Sequence, residues 1–180
     1  SRPAFKLFKN ILPPLSATEQ AAIDAGTVWW DAEIFNGKPD WRKLSGYRDP
    51  KLTEEEQSFI DNETETLCQM LNDWRFTHHD KDLPSEVWQY VKDQGFIAMI
   101  IDKKYGGKQF SHYAHAKVAT KIASRSPAAA YMIMLPNSLG PAELIQHYGT
   151  DEQKDYYLPR LAKGVDMPCF ALTSPWAGSD

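Results

Sequence analysis

Two clusters hold the residue types that coordinate metals at close spacing, His78-His79-Asp80 and His112-x-x-His115. Two imidazoles at i, i+3 can share one helix face. A zinc site needs further ligands, however, and no third residue of matching context stands near either cluster. A solvated or helix-capping role is the simpler account of both, so no metal ligand is assigned. Glu54, Glu55 and Glu56 with Asp61, Glu63 and Glu65 form an acidic run; a solvated helix face explains such a run more simply than a docking surface does. Cys68 and Cys169 lie far apart, make neither a CxxC nor a disulfide framework, and read as small apolar residues of a reducing compartment. No GxSxG, P-loop or GxGxxG is present, so hydrolase, nucleotide-triphosphatase and dinucleotide-fold chemistries lack their required geometry. The stretch Ala177-Gly178-Ser179-Asp180 follows an apolar run. Its small residues can expose backbone N–H groups and a hydroxyl to a phosphate or to the polar edge of a flavin, although a plain turn has the same composition.

The elements that must position these groups are mostly helices. The chain has 180 residues, 42% of them apolar and 24% charged, which is enough to build a core and fits one domain or one and a fragment. A net charge of −4 gives no overall electrostatic case for nucleic acid or an anionic membrane as partner. No window is long and apolar enough for a membrane span, no secretory signal is visible, and the absence of a leading Met suggests a processed or excised segment. Arg2 to Pro14 reads as an arm that packs onto something. Ser16 with Glu19, Thr53 with Glu56 and Thr150 with Gln153 are capping boxes, and each predicts a helix start. Between the first two boxes, Asn36-Gly37, Pro39, Gly46 and Asp49-Pro50 mark an ordered connector in which Trp41, Leu44 and Tyr47 have something to bury.

From Thr53, the spacing of Phe59, Ile60, Leu67, Met70, Leu71 and Trp74 predicts one amphipathic helix of about six or seven turns. Pro84 opens the next helix, with Val87, Trp88 and Val91 apolar and Gly95 at its end. Phe96 to Ile101 is an apolar run that periodicity leaves open between strand and buried connector. Ser111 caps a helix marked by Tyr113, Ala116, Ala119 and Ile122; Ser126-Pro127 opens an apolar helix, expected to be buried nearly all round, that runs to Leu135. A short helix follows over Glu143 to Tyr148, closed by Gly149. The last helix is expected to bend or break near Pro159 and to end at Gly164. Cys169 to Thr173 then reads as a strand. A lone strand leaves its ladder groups unpaired, so residues 166–180 read as the opening of a β-domain cut short.

Four motifs in order carry a family resemblance: Leu83-Pro84…Trp88…Gly95-Phe96; Lys104-Tyr105-Gly106-Gly107; Tyr148-Gly149-Thr150-Asp151-Glu152-Gln153-Lys154 running to Leu158-Pro159…Gly164; and Phe170-Ala171-Leu172-Thr173-Ser174-Pro175-x-Ala177-Gly178-Ser179-Asp180. From about residue 83 onward the chain resembles the acyl-CoA dehydrogenases. Pro14-Leu15-Ser16-Ala17-Thr18-Glu19 and Trp29-Trp30-Asp31 resemble the N-terminal extension of the large bacterial enzymes of fatty-acid β-oxidation. Ser174 and Trp176 depart from the family pattern, which has Glu and a small or acidic residue there.

The resemblance implies a mainly α chain: an N-terminal extension with short helices over 1–52, the N-terminal helical domain over 53–165, and the first strand of the middle β-domain over 166–180. It implies FAD as cofactor, with Phe170, Leu172 and Thr173 along the isoalloxazine and Gly178 and Ser179 at the FAD, Ser179 also reaching the pantetheine arm of an acyl-CoA. Tyr131 to Gly140 would correspond, as a region, to the wall of the acyl-chain pocket. The implied reaction introduces an α,β double bond into a fatty acyl-CoA and passes electrons to an electron-transfer flavoprotein. The catalytic base in such enzymes comes from beyond residue 180, so no residue here is assigned that role and the chain alone is expected to be inactive. A homo-oligomer at full length, in the cytoplasm or peripheral at the inner membrane, completes the expectation. The competing readings are a helical protein-interaction module without catalysis and an acyl-CoA oxidase on the same scaffold.

Overall fold

A computed structural model describes residues 2–12, 14–26, 29–35, 37–138, 140–169, 171 and 174–175. The chain divides into two compact units, residues 1–49 and 50–180.

In the first unit, helix α1 (Arg2–Ile11) precedes α2 (Ala17–Ala25), which starts at the expected capping box: Ser16 Oγ accepts from Glu19 N, and the Glu19 carboxylate accepts from Ser16 N. Two single-turn helices follow, α3 (Asp31–Phe35) and α4 (Trp41–Ser45). Trp30 organises them. Its ring is buried and its Nε1 donates to the Asp40 carbonyl at 2.7 Å, while the Asp40 side chain caps α4. Glu33 accepts from Asp40 N and pairs with Lys43. Trp41, Leu44 and Tyr47, expected to be buried, are exposed instead. Helices of one turn present too little surface to cover three large side chains, and the rings pack in pairs, Trp41 on Trp30 and Tyr47 on Trp29.

In the second unit, α5 (Glu54–Asp61) and α6 (Glu63–Met70) occupy the stretch expected to be one long helix. The helix breaks at Asn62, and the buried Thr64 hydroxyl donates to the Phe59 carbonyl, so the break is satisfied internally. The helical run stops at Met70. A turn α7 (Asp73–Arg75) and a π-helical turn (Phe76–Asp80) follow, and Trp74 lies exposed rather than on the apolar face. Then come α8 (Ser85–Asp93), α9 (His112–Arg125), α10 (Pro127–Asn137), α11 (Pro141–Tyr148) and α12 (Asp151–Ala162). On α9 the buried face is Ala114, Val118, Ala119 and Ile122, so the expected Ala119 and Ile122 lie on it, whereas Tyr113 is half-buried and Ala116 exposed. Helix α12 runs through Pro159 unbroken: close to the helix end, the missing N–H frees only the carbonyl of exposed Asp155.

Two cores result. Phe59, Leu67, Val87, Val91, Phe96, Val118, Ile122 and Ile133 belong to the larger; Ala98, Ile101, Ala142, Leu158, Leu161 and Ala162 form the smaller. The apolar run from Phe96 to Ile101 is the buried connector, not a strand, and it serves both cores: Phe96, Ile97 and Met99 face one, Ala98 and Ile101 the other.

Glu56, read from sequence as part of a solvated acidic face, is buried. Its carboxylate accepts from Thr53 N at 2.8 Å and from Ser111 N at 2.7 Å, tying the start of α5 to the start of α9. Burial alone would raise its pKa, but the hydrogen bonds from Thr53 and Ser111 outweigh that and hold it below the ordinary value of 4.5. Glu56→Ala leaves two part-buried backbone donors without their acceptor and is expected to cost about 1–3 kcal/mol, read as a lower urea midpoint at unchanged slope. Because the folded-state pKa is depressed, the wild-type contribution is complete above the ordinary carboxylate value and disappears as pH falls through the folded one.

Candidate functional site

The connector carries polar backbone into the interior, so each buried group on it needs a partner. Asn137, at the end of α10, supplies three: its Oδ1 accepts from Met99 N (2.8 Å) and Ile100 N (3.4 Å), and its Nδ2 donates to the carbonyl of Phe96 (2.5 Å) and, within α10, to that of Ile133 (2.9 Å). Gln146 on α11 accepts from Asp102 N and donates to the Ile100 carbonyl. The carbonyls of Ala98, Met99 and Ile101 accept from Lys108, Phe110 and Gln109 N. Thus α10 and α11 are locked to one buried strip of backbone, and the Lys104-Tyr105-Gly106-Gly107 turn folds back on it. Asn137 and Gln146 carry no motif; the one signal for Asn137 is an amide directly after a helix-interior Pro136 in an otherwise apolar segment.

The region Tyr131 to Gly140 divides by face. Ile133, Pro136 and Asn137 turn inward, whereas Tyr131 is 64% exposed and Met134 40%. All-round burial of α10 is therefore incorrect: α9 and the connector cover one side, and an apolar strip remains open on the other. Such a strip can receive an apolar chain or another layer of protein.

His115 on α9 holds its Nε2 buried and without a hydrogen-bond partner. Burial pushes its pKa down and neighbouring His112 adds to that, while Glu143 on α11 opposes them without reversing the shift. The imidazole is therefore kept neutral, with one ring nitrogen unspent. A depressed folded-state pKa means that the unfolded chain takes up the proton first, so stability is full above the ordinary histidine value of 6.5 and falls as pH drops below it. Thermal unfolding of wild type and His115→Leu between pH 7.5 and 5.5 is expected to show a shallower pH dependence in the variant, a window separate from that of the carboxylates.

The other histidine cluster lies on the π-helical turn, where the His78 ring packs 3.8 Å from that of Trp74. Among the described residues, no three His, Cys, Asp or Glu side chains converge as a metal site. A groove of about 860 Å3 opens over the glycine turns, lined by Gly95, Gly106, Gly107 and Gly164 with Lys92, Lys103, Lys108 and Lys163, and by the acids Glu55 and Asp93. Lys108 sits half-buried with Nζ 4.7 Å from the Phe59 ring centre. Burial pushes its pKa down, helped by Lys103 and opposed by Glu63 and Glu55.

The residues expected from sequence to meet a flavin, Phe170, Leu172, Thr173, Gly178 and Ser179, lie outside the described residues, as does Trp176. The strand expected over Cys169 to Thr173 falls largely there too. The other three motifs are placed, and they do structural work. Pro84 precedes α8, Trp88 donates to Asp82, and Gly95 adopts a left-handed φ of 76°. Thr150 and Gln153 close a capping box, and Gly164 sits at φ 64° against Ile97.

With that geometry in hand, known proteins give a consistent comparison. The family described as acyl-CoA dehydrogenase, N-terminal domain matches residues 53–165. The 3-(aryl)acrylate reductase of Clostridium sporogenes is 36% identical over 100 residues, covering 55% of this chain and 26% of that protein. Acyl-CoA dehydrogenase FadE12 of Mycobacterium tuberculosis is 33% identical over 96 residues, covering 53% and 24%. Among solved structures, butyryl-CoA dehydrogenase from Megasphaera elsdenii superposes with a TM-score of 0.60 at 22% identity, over 73% of this chain and 35% of that one; the likeness is one of fold. The chain spans about a quarter of the length of the curated relatives it matches.

Proposed function

The chain belongs to the acyl-CoA dehydrogenase family, and we propose that it forms the N-terminal helical part of an FAD-dependent oxidoreductase that introduces an α,β double bond into a fatty acyl-CoA in β-oxidation. The observation that carries this reading is the unbroken family match over residues 53–165, with three motifs folded where the domain needs them. We assign the flavin contacts to Phe170, Leu172, Thr173, Gly178 and Ser179, with Ser179 also at the pantetheine arm of the substrate, and assign no catalytic base to residues 1–180.

Among the described residues the polar backbone is largely spent internally, and the open α10 strip with Tyr131 and Met134 is apolar. That surface fits the flank of an acyl chain better than the polar edge of a cofactor, and it supports giving the flavin contacts to residues outside it. Bound FAD would supply the hydride acceptor. The part played by this chain is to fix the position of the strip by tying the end of α10 to the connector through Asn137.

An electron-transfer flavoprotein is the proposed acceptor. One relative is named as a caffeyl-CoA reductase subunit of an Etf complex, and one structural neighbour is an electron-transferring flavoprotein structure. The complete reading frame containing this chain is expected to purify as a homo-oligomer with FAD and to reduce an artificial acceptor when given a saturated acyl-CoA. The 180-residue chain alone is expected to retain no flavin and to show no turnover. Dehydrogenation by the 180-residue chain would contradict the assignment, and reduction of oxygen in place of the flavoprotein would move it to an oxidase.

A further inference from the structure

We propose that α1 is an interfacial helix that lies in the surface of an anionic lipid bilayer. On a helical projection, Ala4, Phe5, Leu7, Phe8 and Ile11 fall on one side of α1 and Arg2, Lys6 and Lys9 on the other. In a soluble domain a stripe of this kind turns inward. Here no residue of α1 is buried, and Phe5 and Ile11 are each 69% exposed. A continuous apolar stripe backed by cations, on a helix of low overall hydrophobicity, is the composition that settles at the boundary between headgroups and acyl chains.

Along the ten residues of α1, about 15 Å of helix, the apolar stripe and the cations keep to opposite sides, the arrangement of a helix lying in the interface plane. Charge fixes the surface. The first acidic residue of the chain is Glu19, so its opening 18 residues carry only Arg2, Lys6 and Lys9 as charges, within a chain whose net charge is −4. This local excess, hidden in the total, complements anionic headgroups, and each cation near such a surface strengthens binding by about fivefold. A second copy of α1 or a protein groove could also cover the apolar stripe, but neither would be selected by the three cations opposite it. The inference rests on α1 alone and stands apart from the catalytic assignment.

The test is sedimentation of the 180-residue chain with vesicles of phosphatidylcholine, alone or mixed with phosphatidylglycerol, at low and high salt. The chain is expected to bind the mixed vesicles at least about tenfold more strongly than the neutral ones and to be released by salt. Phe5→Glu with Phe8→Glu is expected to lower binding at least about tenfold, and Lys6→Glu with Lys9→Glu to lower it on the anionic vesicles at least about 25-fold. Neither pair should change the thermal midpoint, because α1 contributes no buried residue. No binding to anionic vesicles at low salt would overturn the proposal, as would binding that the Phe5/Phe8 pair leaves unchanged. A dimer that the same pair abolishes, without vesicle binding, would assign the stripe to a second copy instead.

Discussion

Asn137→Leu is expected to cost about 4 kcal/mol, close to half the stability of a typical domain. The side chains are similar in volume, so the loss comes almost entirely from polarity. Met99 N–H and the carbonyls of Phe96 and Ile133 are left in the interior without the amide that satisfied them, at about 1–3 kcal/mol for each stranded group. Water cannot replace it readily, since Asn137, Phe96 and Met99 are all buried. Urea unfolding should show a lower midpoint with the same slope; a loss below about 1 kcal/mol would mean that the connector finds other partners. Because the amide also sets the end of α10, the variant should loosen the strip carrying Tyr131 and Met134, which faster hydrogen exchange over α10 would register.

A comparable loss, about 3–5 kcal/mol, is expected for Gly107→Ala. A Cβ built at Gly107 would stand 2.0 Å from the Ile101 carbonyl oxygen and 2.5 Å from its carbon. The obstacle is backbone, held from the far side by Asn137 and Gln146, so it cannot swing away as a side-chain tip would. The adjacent glycine supplies the control. Gly106 has a φ of +88°, but its Cβ would meet only the Ala162 methyl at 3.9 Å; Gly106→Ala therefore costs only the strain of a left-handed residue, about 1–2 kcal/mol. Chemical denaturation of the two variants should rank them in that order. Equal losses would show that the turn is constrained by conformation alone.

The contrast between these two glycines marks how far local sequence reasoning reaches. Helix starts were legible because a cap is a short-range hydrogen bond: the boxes at Ser16, Thr53 and Thr150, and the single caps at Ser111 and Ser126, all form. Helix ends at Gly95, Gly149 and Gly164 follow for the same reason. What escaped is set by distant partners. The break at Asn62 depends on Thr64 reaching Phe59, the burial of Glu56 depends on Ser111, and the path of Phe96 to Ile101 depends on Asn137 and Gln146, some 40 residues away. Periodicity also overestimated the burial of α10, because an apolar helix reads the same whether its outer face is covered or left open. The expected flavin contacts were legible only through family likeness, since Gly178 and Ser179 stand in a stretch of small residues whose composition is no more specific than that of a turn.

The assignment to flavin-dependent acyl-CoA chemistry is tested most directly by an anaerobic titration of the complete protein with a saturated acyl-CoA, following the visible absorbance of the flavin. The protein is expected to be yellow as purified and to bleach as the acyl-CoA is added, with the α,β-unsaturated thioester appearing in proportion. A colourless protein that takes up no FAD, or a yellow one whose absorbance the acyl-CoA leaves unchanged, would contradict it.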